Sequence, residues 1–156
     1  MKEEKFMREA IKLSLDNVKT GEGGPFGAVV VKDGKIIARG RNLVASTNDP
    51  TAHAEVVAIR EACKNLNSFQ LEDCEIYTSC EPCPMCLGAI YWARPKTVYY
   101  GNTKKDAAEI LFDDDFIYNE LAVPMNERKL KFVQILPDEA IKAFVEWRNK
   151  TDKIEY

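Results

Sequence analysis

Hydrophobic and polar positions change period several times along this chain, and each change marks an element. Over residues 3–19, Phe6, Met7, Ala10, Ile11, Leu13 and Val18 form an apolar stripe with Lys and Glu on the other side, which predicts an amphipathic helix. Thr20-Gly21-Glu22-Gly23-Gly24-Pro25 is its stop signal. The pattern then predicts strands over 26–31 and 35–41, joined at Asp33-Gly34, a strong hairpin turn. Asn48-Asp49-Pro50-Thr51 reads as a turn and cap opening a helix to about residue 65. A short buried strand is expected over 74–78, a helix from Cys83 to about 92, and a strand over 96–100. Beyond Gly101 the pattern weakens to a short helix over 106–111, a loop over 112–116 and a last strand over 132–136. Pro137-Asp138-Glu139 opens a terminal helix to about 149, with Ile141, Phe144, Val145 and Arg148 along one face. Helix, hairpin, then alternating helix and strand predicts a three-layer α/β/α sandwich around a mixed, roughly five-stranded sheet.

A chain of 156 residues with no repeat, linker or low-complexity stretch is expected to form one domain with a substantial core. The formal net charge of −3 argues against a nucleic-acid partner, since such proteins usually show a basic patch. The densest basic run, Arg128-Lys129-Leu130-Lys131, is short and reads as a solvated face. No apolar run approaches a membrane span. The five cysteines are an odd number and nothing resembles a secretory signal, so free or metal-bound thiols in a reducing cytoplasm are expected.

The chemistry concentrates in two stretches, Thr51-Ala52-His53-Ala54-Glu55 and Cys80-Glu81-Pro82-Cys83-Pro84-Met85-Cys86. His53 is the chain's single histidine. Zinc takes imidazole nitrogen and thiolate sulfur readily, and a catalytic site uses three protein ligands with a fourth position for water. His53, Cys83 and Cys86 supply those three. Cys83 and Cys86 fall on the first turn of one helix, Pro82 and Pro84 suit its start, and its positive end favours thiolate. Glu55 is not needed as a ligand, and a carboxylate beside a zinc water can take its proton and return it to a substrate. The alternatives are a structural site that recruits Cys80 and a thiol redox pair. An iron–sulfur run lacks a fourth cysteine after Cys86. Both metal helices follow strands, so the site is expected near the strands' carboxyl ends.

The His-x-Glu and Pro-Cys-x-x-Cys pair is the known signature of zinc-dependent deaminases. The chain resembles the cytidine deaminase-like superfamily and, within it, the bacterial guanine deaminases. That resemblance rests on Gly24 to Val29 with Lys32-Asp33-Gly34, on Asn48 to Glu55, on Tyr77 to Pro95, on Phe112-Asp113-Asp114 and on the tail ending in Tyr156. It implies hydrolytic deamination of guanine to xanthine and ammonia, with one zinc per chain and Glu55 activating the water. It further assigns Asp114 as a second proton carrier toward the departing amine. By sequence alone, Asp114 is one of three consecutive aspartates in a loop, which ordinarily means a solvated charge run.

Candidate substrate contacts are Phe26, Asn42, Ala54 through its backbone N–H, Trp92 and Tyr156. Each has a plainer reading: core for Phe26 and Trp92, a turn for Asn42, a frayed end for Tyr156. The resemblance implies a homodimer in which a segment of about 136–156 crosses to the partner and closes its site. Cys63, Cys74 and Cys80 receive no role. The rival sharing the fold is a tRNA adenosine deaminase, with a cytosine or pyrimidine nucleoside deaminase further off. The non-enzymatic rival is a structural-zinc interaction module.

Overall fold

The helix expected over 3–19 forms as α1 (Lys2–Thr20), with Glu3 and Glu4 in its first turn and Lys19 in its last, each opposing the helix dipole. Gly21, at φ 71°, ends it by donating to the carbonyls of Asn17 and Val18. The computed structural model describes residues 1–156.

The hairpin forms as β1 (Gly27–Lys32) and β2 (Lys35–Arg41). Asp33 and Gly34 both take positive φ, as the two-residue turn that matches strand twist requires. Register shifts between Val30 and Val31, an irregularity that side-chain alternation does not announce. On the other side of β1 lies β3 (Glu75–Cys80), antiparallel, and β4 (Thr97–Asn102) continues parallel to β3. The sheet order is β2-β1-β3-β4. Since β1 runs against the other three, its amino end meets the carboxyl ends of β2, β3 and β4 at one end of the sheet. From that end depart α2 (Val44–Thr47), α3 (Ala54–Leu66), α4 (Pro84–Ala93) and α5 (Lys104–Glu109).

Alternate residues of the strands serve the two faces. Val29, Val31 and Tyr77 meet Phe6 and Ala10 of α1 on one side. Ala28, Val30 and Ile76 meet α3 and α4 on the other. The inner stripe of α3 is Ala54, Ala58 and Ala62, so this helix lies close on the sheet. Gly40 on β2 makes that approach possible, because a Cβ there would overlap the carbonyl oxygen of Ala54. The first turn of α3 is thereby fixed over the end of β2. Truncating a buried side chain such as Ile76 to alanine costs roughly 2–5 kcal/mol.

The chain falls into two compact units, Met1–Asp114 and Asp115–Tyr156. The second contains α6 (Asp115–Ala122), a 3-10 turn (Met125–Glu127) and α7 (Pro137–Asn149). None of its residues is buried. Two sequence expectations are corrected here. The segment 132–136 is irregular, so the sheet has four strands and not five. Phe132, Val133 and Ile135 have the composition of a strand, but a strand exists only in a ladder, and none in this chain pairs with them. Leu136 then takes φ 51° to enter α7. The loop expected over 112–116 is also shorter, because Asp115 and Phe116 already belong to α6, where an acidic first turn suits the helix dipole. The basic run reads as predicted only in part: Arg128 donates to the Glu120 carbonyl at 2.9 Å and lies over the Phe132 ring.

Candidate metal centre and active site

Two helix starts meet at the carboxyl end of the sheet, and each carries a ligand at its cap. His53 caps α3 and Cys83 caps α4, with Pro84 as the first helical residue. Cys86, one turn on, donates its backbone N–H toward the Cys83 sulfur at 3.5 Å. The His53 Nδ1 lies 3.5 Å from the Cys83 sulfur and 3.6 Å from that of Cys86. A tetrahedral zinc, with nitrogen at about 2.0–2.1 Å and sulfur at about 2.3 Å, separates such donors by about 3.6 Å. The three ligand atoms lie within 4.8 Å of one another, and one imidazole with two sulfurs is a donor set suited to zinc. The residues present fit the metal. Cys80 points elsewhere, buried and with its thiol toward the Thr103 carbonyl at 3.7 Å.

The electrostatics already make one of the two ligand sulfurs a thiolate. Cys83 has its thiol pushed down to about 4, because the Cys86 thiol donates to it, with the His53 imidazole and the Cys86 N–H adding to the effect. The Cys83 sulfur in turn raises His53 above its ordinary value. Cys86 is held far in the other direction, keeping its proton between the Cys83 sulfur and the Glu55 carboxylate.

Glu55, in the first turn of α3, is almost fully buried at 6% exposure. Burial raises its carboxyl above the usual carboxylate range, partly offset by a hydrogen bond from its own backbone N–H. A carboxylate with raised proton affinity is suited to accept a proton and return it. Its Oε2 lies 3.5 Å from the Cys86 sulfur, so it faces the ligand set. Its Oε1 meets the hydroxyl of Thr78, a residue on β3 that sequence reading passed over.

The remaining predicted residues separate into those the fold brings near and those it does not. Leu43 donates its N–H to the Ala52 carbonyl at 2.9 Å, which sets Asn42 close to His53. The Asn42 side-chain oxygen accepts from the Val44 N–H, a turn contact, and its amide NH2 has no partner in the protein. Asn42 donates its backbone N–H to the Phe26 carbonyl at 3.2 Å. Phe26 meets Phe112 edge to face, ring centres 5.0 Å apart, so the loop carrying Asp114 is anchored at the same end of the sheet. Ala54 is fully buried at the first position of α3, where backbone N–H groups have no helical acceptor. Asn17 on α1, also missed by sequence reading, donates to the carbonyls of Gly24 and Asn42 at 2.7 and 2.9 Å and holds this strap in place.

Trp92 lies in the last turn of α4, nine residues from Cys83, or about 13 Å along the helix axis. It is 63% exposed. Tyr156 belongs to the second unit and is exposed.

This combination of a mixed four-stranded sheet, two helix starts and a His/Cys/Cys set defines a class. Residues 1–102 match the family described as the cytidine and deoxycytidylate deaminase zinc-binding region. The chain belongs to this family of zinc-binding deaminases, and zinc is its cofactor. It is 58% identical over 156 residues, the whole of both chains, to the guanine deaminase of Bacillus subtilis (strain 168). The X-ray structure of guanine deaminase from that organism superposes with a TM-score of 0.96, covering 98% of each chain at 58% identity. A tRNA-specific adenosine deaminase of Aquifex aeolicus (strain VF5) is 35% identical over 150 residues, 96% of each chain.

Proposed function

We propose that this protein is a zinc-dependent guanine deaminase, converting guanine and water to xanthine and ammonia. The observation that carries this reading is a His/Cys/Cys set with Glu55 buried against it, in a chain 58% identical over its full length to a guanine deaminase. His53, Cys83 and Cys86 hold the metal, which when bound supplies a water acidified toward neutral pH as nucleophile. Glu55 would take one proton from the attacking water and pass it to the ring nitrogen whose double bond to carbon 2 opens as the C–O bond forms. The proton left on the new hydroxyl then moves through Glu55 to the amino nitrogen, with Asp114 helping to carry it, as the C–N bond breaks, ammonia leaves and the carbonyl forms. The Phe26 ring, the Asn42 amide NH2 and the Ala54 N–H supply one flat apolar wall and two donors for a purine edge.

The working form is a homodimer in a reducing cytoplasm, where all five cysteines stay unpaired. The partner's segment of about 136–156 completes each pocket, with Tyr156 closing it. Two apolar surfaces support this. No residue of 115–156 is fully buried within the chain, although Phe132, Ile135, Phe144 and Trp147 are among them. Helix α4 is apolar on all sides, the mark of a helix built to be covered, yet Leu87, Tyr91 and Trp92 face solvent. Exchange of an identical terminal segment is a low-cost route to such a dimer.

Ammonia release from guanine, adenine, cytosine, cytidine and an adenosine-containing tRNA tests the substrate directly. Guanine should turn over at least about 100-fold faster than any other. Comparable turnover of the tRNA would transfer the protein to the adenosine branch.

A further inference from the structure

We propose that Thr78 is a positioning residue for the reaction: its hydroxyl holds one oxygen of Glu55 so that the other faces the zinc ligands. The inference rests on the guanine deaminase reading for its kinetic test, but its geometry stands on the protein alone.

Thr78 sits on β3, opposite Ala28 of β1 and Tyr100 of β4, on the face that packs against α3 and α4. It is 2% exposed. Its Oγ1 lies 3.0 Å from the Cys80 carbonyl oxygen and 3.3 Å from Oε1 of Glu55. The other carboxylate oxygen, Oε2, receives the Cys86 thiol at 3.5 Å. Each carboxylate oxygen thus has its own side-chain contact, and the Thr78 hydroxyl is the one that comes from outside the ligand set.

The hydroxyl suits this task because it both donates and accepts. It can meet Glu55 as a carboxylate and, while donating to the Cys80 carbonyl, again as a carboxylic acid. The contact thus survives both halves of a proton shuttle. Valine has nearly the same shape and β propensity and would fill the same place between Ala28 and Tyr100. The oxygen is the only difference, which makes Thr78→Val a clean probe.

The zinc-loaded Thr78→Val and Thr78→Ser variants should be compared with wild type in steady-state kinetics on guanine, with metal content measured alongside. Thr78→Val should keep its zinc and a KM within about twofold, while kcat falls roughly ten- to a hundredfold, the scale of a misplaced catalytic group. Thr78→Ser should recover kcat to within about threefold. In a Glu55→Gln background, Thr78→Val should cost nothing further. Unchanged kcat with a lowered melting temperature, no rescue by serine, or a full multiplicative loss in the Glu55→Gln background would each overturn the proposal. A crystal structure of zinc-loaded Thr78→Val gives a readout free of substrate. The Glu55 carboxyl should be displaced or divided between rotamers, and a carboxyl left in place would overturn the proposal. If wild type releases no ammonia from guanine, the substrate reading fails by itself, and the crystal structure still decides the role of Thr78.

Discussion

The two units of this chain spend their apolar residues in opposite ways. In residues 1–114 the strands β1, β2 and β3 and the helices α1, α3 and α4 all carry buried residues, and Val29 and Val30 alternate between two clusters on opposite faces of the sheet. In residues 115–156 an amphipathic helix of similar quality, α7, buries nothing. Amphipathic patterning specifies that a face must be covered but not which chain supplies the cover. The first unit answers from within, and it contains the ligands and Glu55. The second leaves the apolar face of α7 uncovered within the chain, and it contains Tyr156.

The contrast can be broken most severely at the ligands. His53→Ala or Cys86→Ala should abolish zinc binding and turnover together, seen by metal analysis and ammonia release; retained zinc would mean that the ligand set is wrong. Glu55→Gln should keep its zinc and lose about 10²–10⁴ in kcat, the range for general acid–base catalysis. Asp114→Asn should slow turnover roughly 10- to 100-fold with zinc intact, and an unchanged rate would return the aspartate run to a solvated loop.

Stability measurements sharpen the comparison next. Ile76→Ala, in the first unit, should cost roughly 2–5 kcal/mol in denaturant unfolding. Phe144→Ala, on α7, should act through association, so its effect should grow on dilution and sedimentation should show monomers. The smallest effect is chemical. In metal-stripped protein Cys83, with its thiol pushed down to about 4, is a thiolate at pH 6. Burial raises Cys63, Cys74 and Cys80, which stay protonated there. Iodoacetamide at pH 6 should label Cys83 first, more slowly as pH falls through about 4, and zinc should protect it.

The first unit was largely legible in the sequence because its signals are local. Asp33-Gly34 specifies a turn by itself, Pro84 and the Cys-x-x-Cys spacing specify a helix start, and His53 needs only one cap to face them. The second unit was misread where the signal is not local. Phe132 to Leu136 has strand composition, but a strand depends on pairing, and no strand of the sheet pairs with this segment. The supports of the site were illegible for a related reason. Thr78 looks like any β-branched strand residue, and Asn17 like any polar residue on a helix, until the fold sets one beside Glu55 and the other between two carbonyls.

The claim that a complete site joins residues 1–114 of one chain to the tail of another is tested most directly by complementation. A chain lacking Tyr156 and a Glu55→Gln chain, each nearly inactive alone, are co-expressed in equal amounts. With exchanged tails, half the dimers are mixed, and one of the two sites in each has an intact glutamate and an intact tail. Guanine turnover should therefore return to about a quarter of the wild-type value per site. If each tail served its own chain, every site in the mixture would keep a defect, and activity no higher than the parents' average would contradict the account.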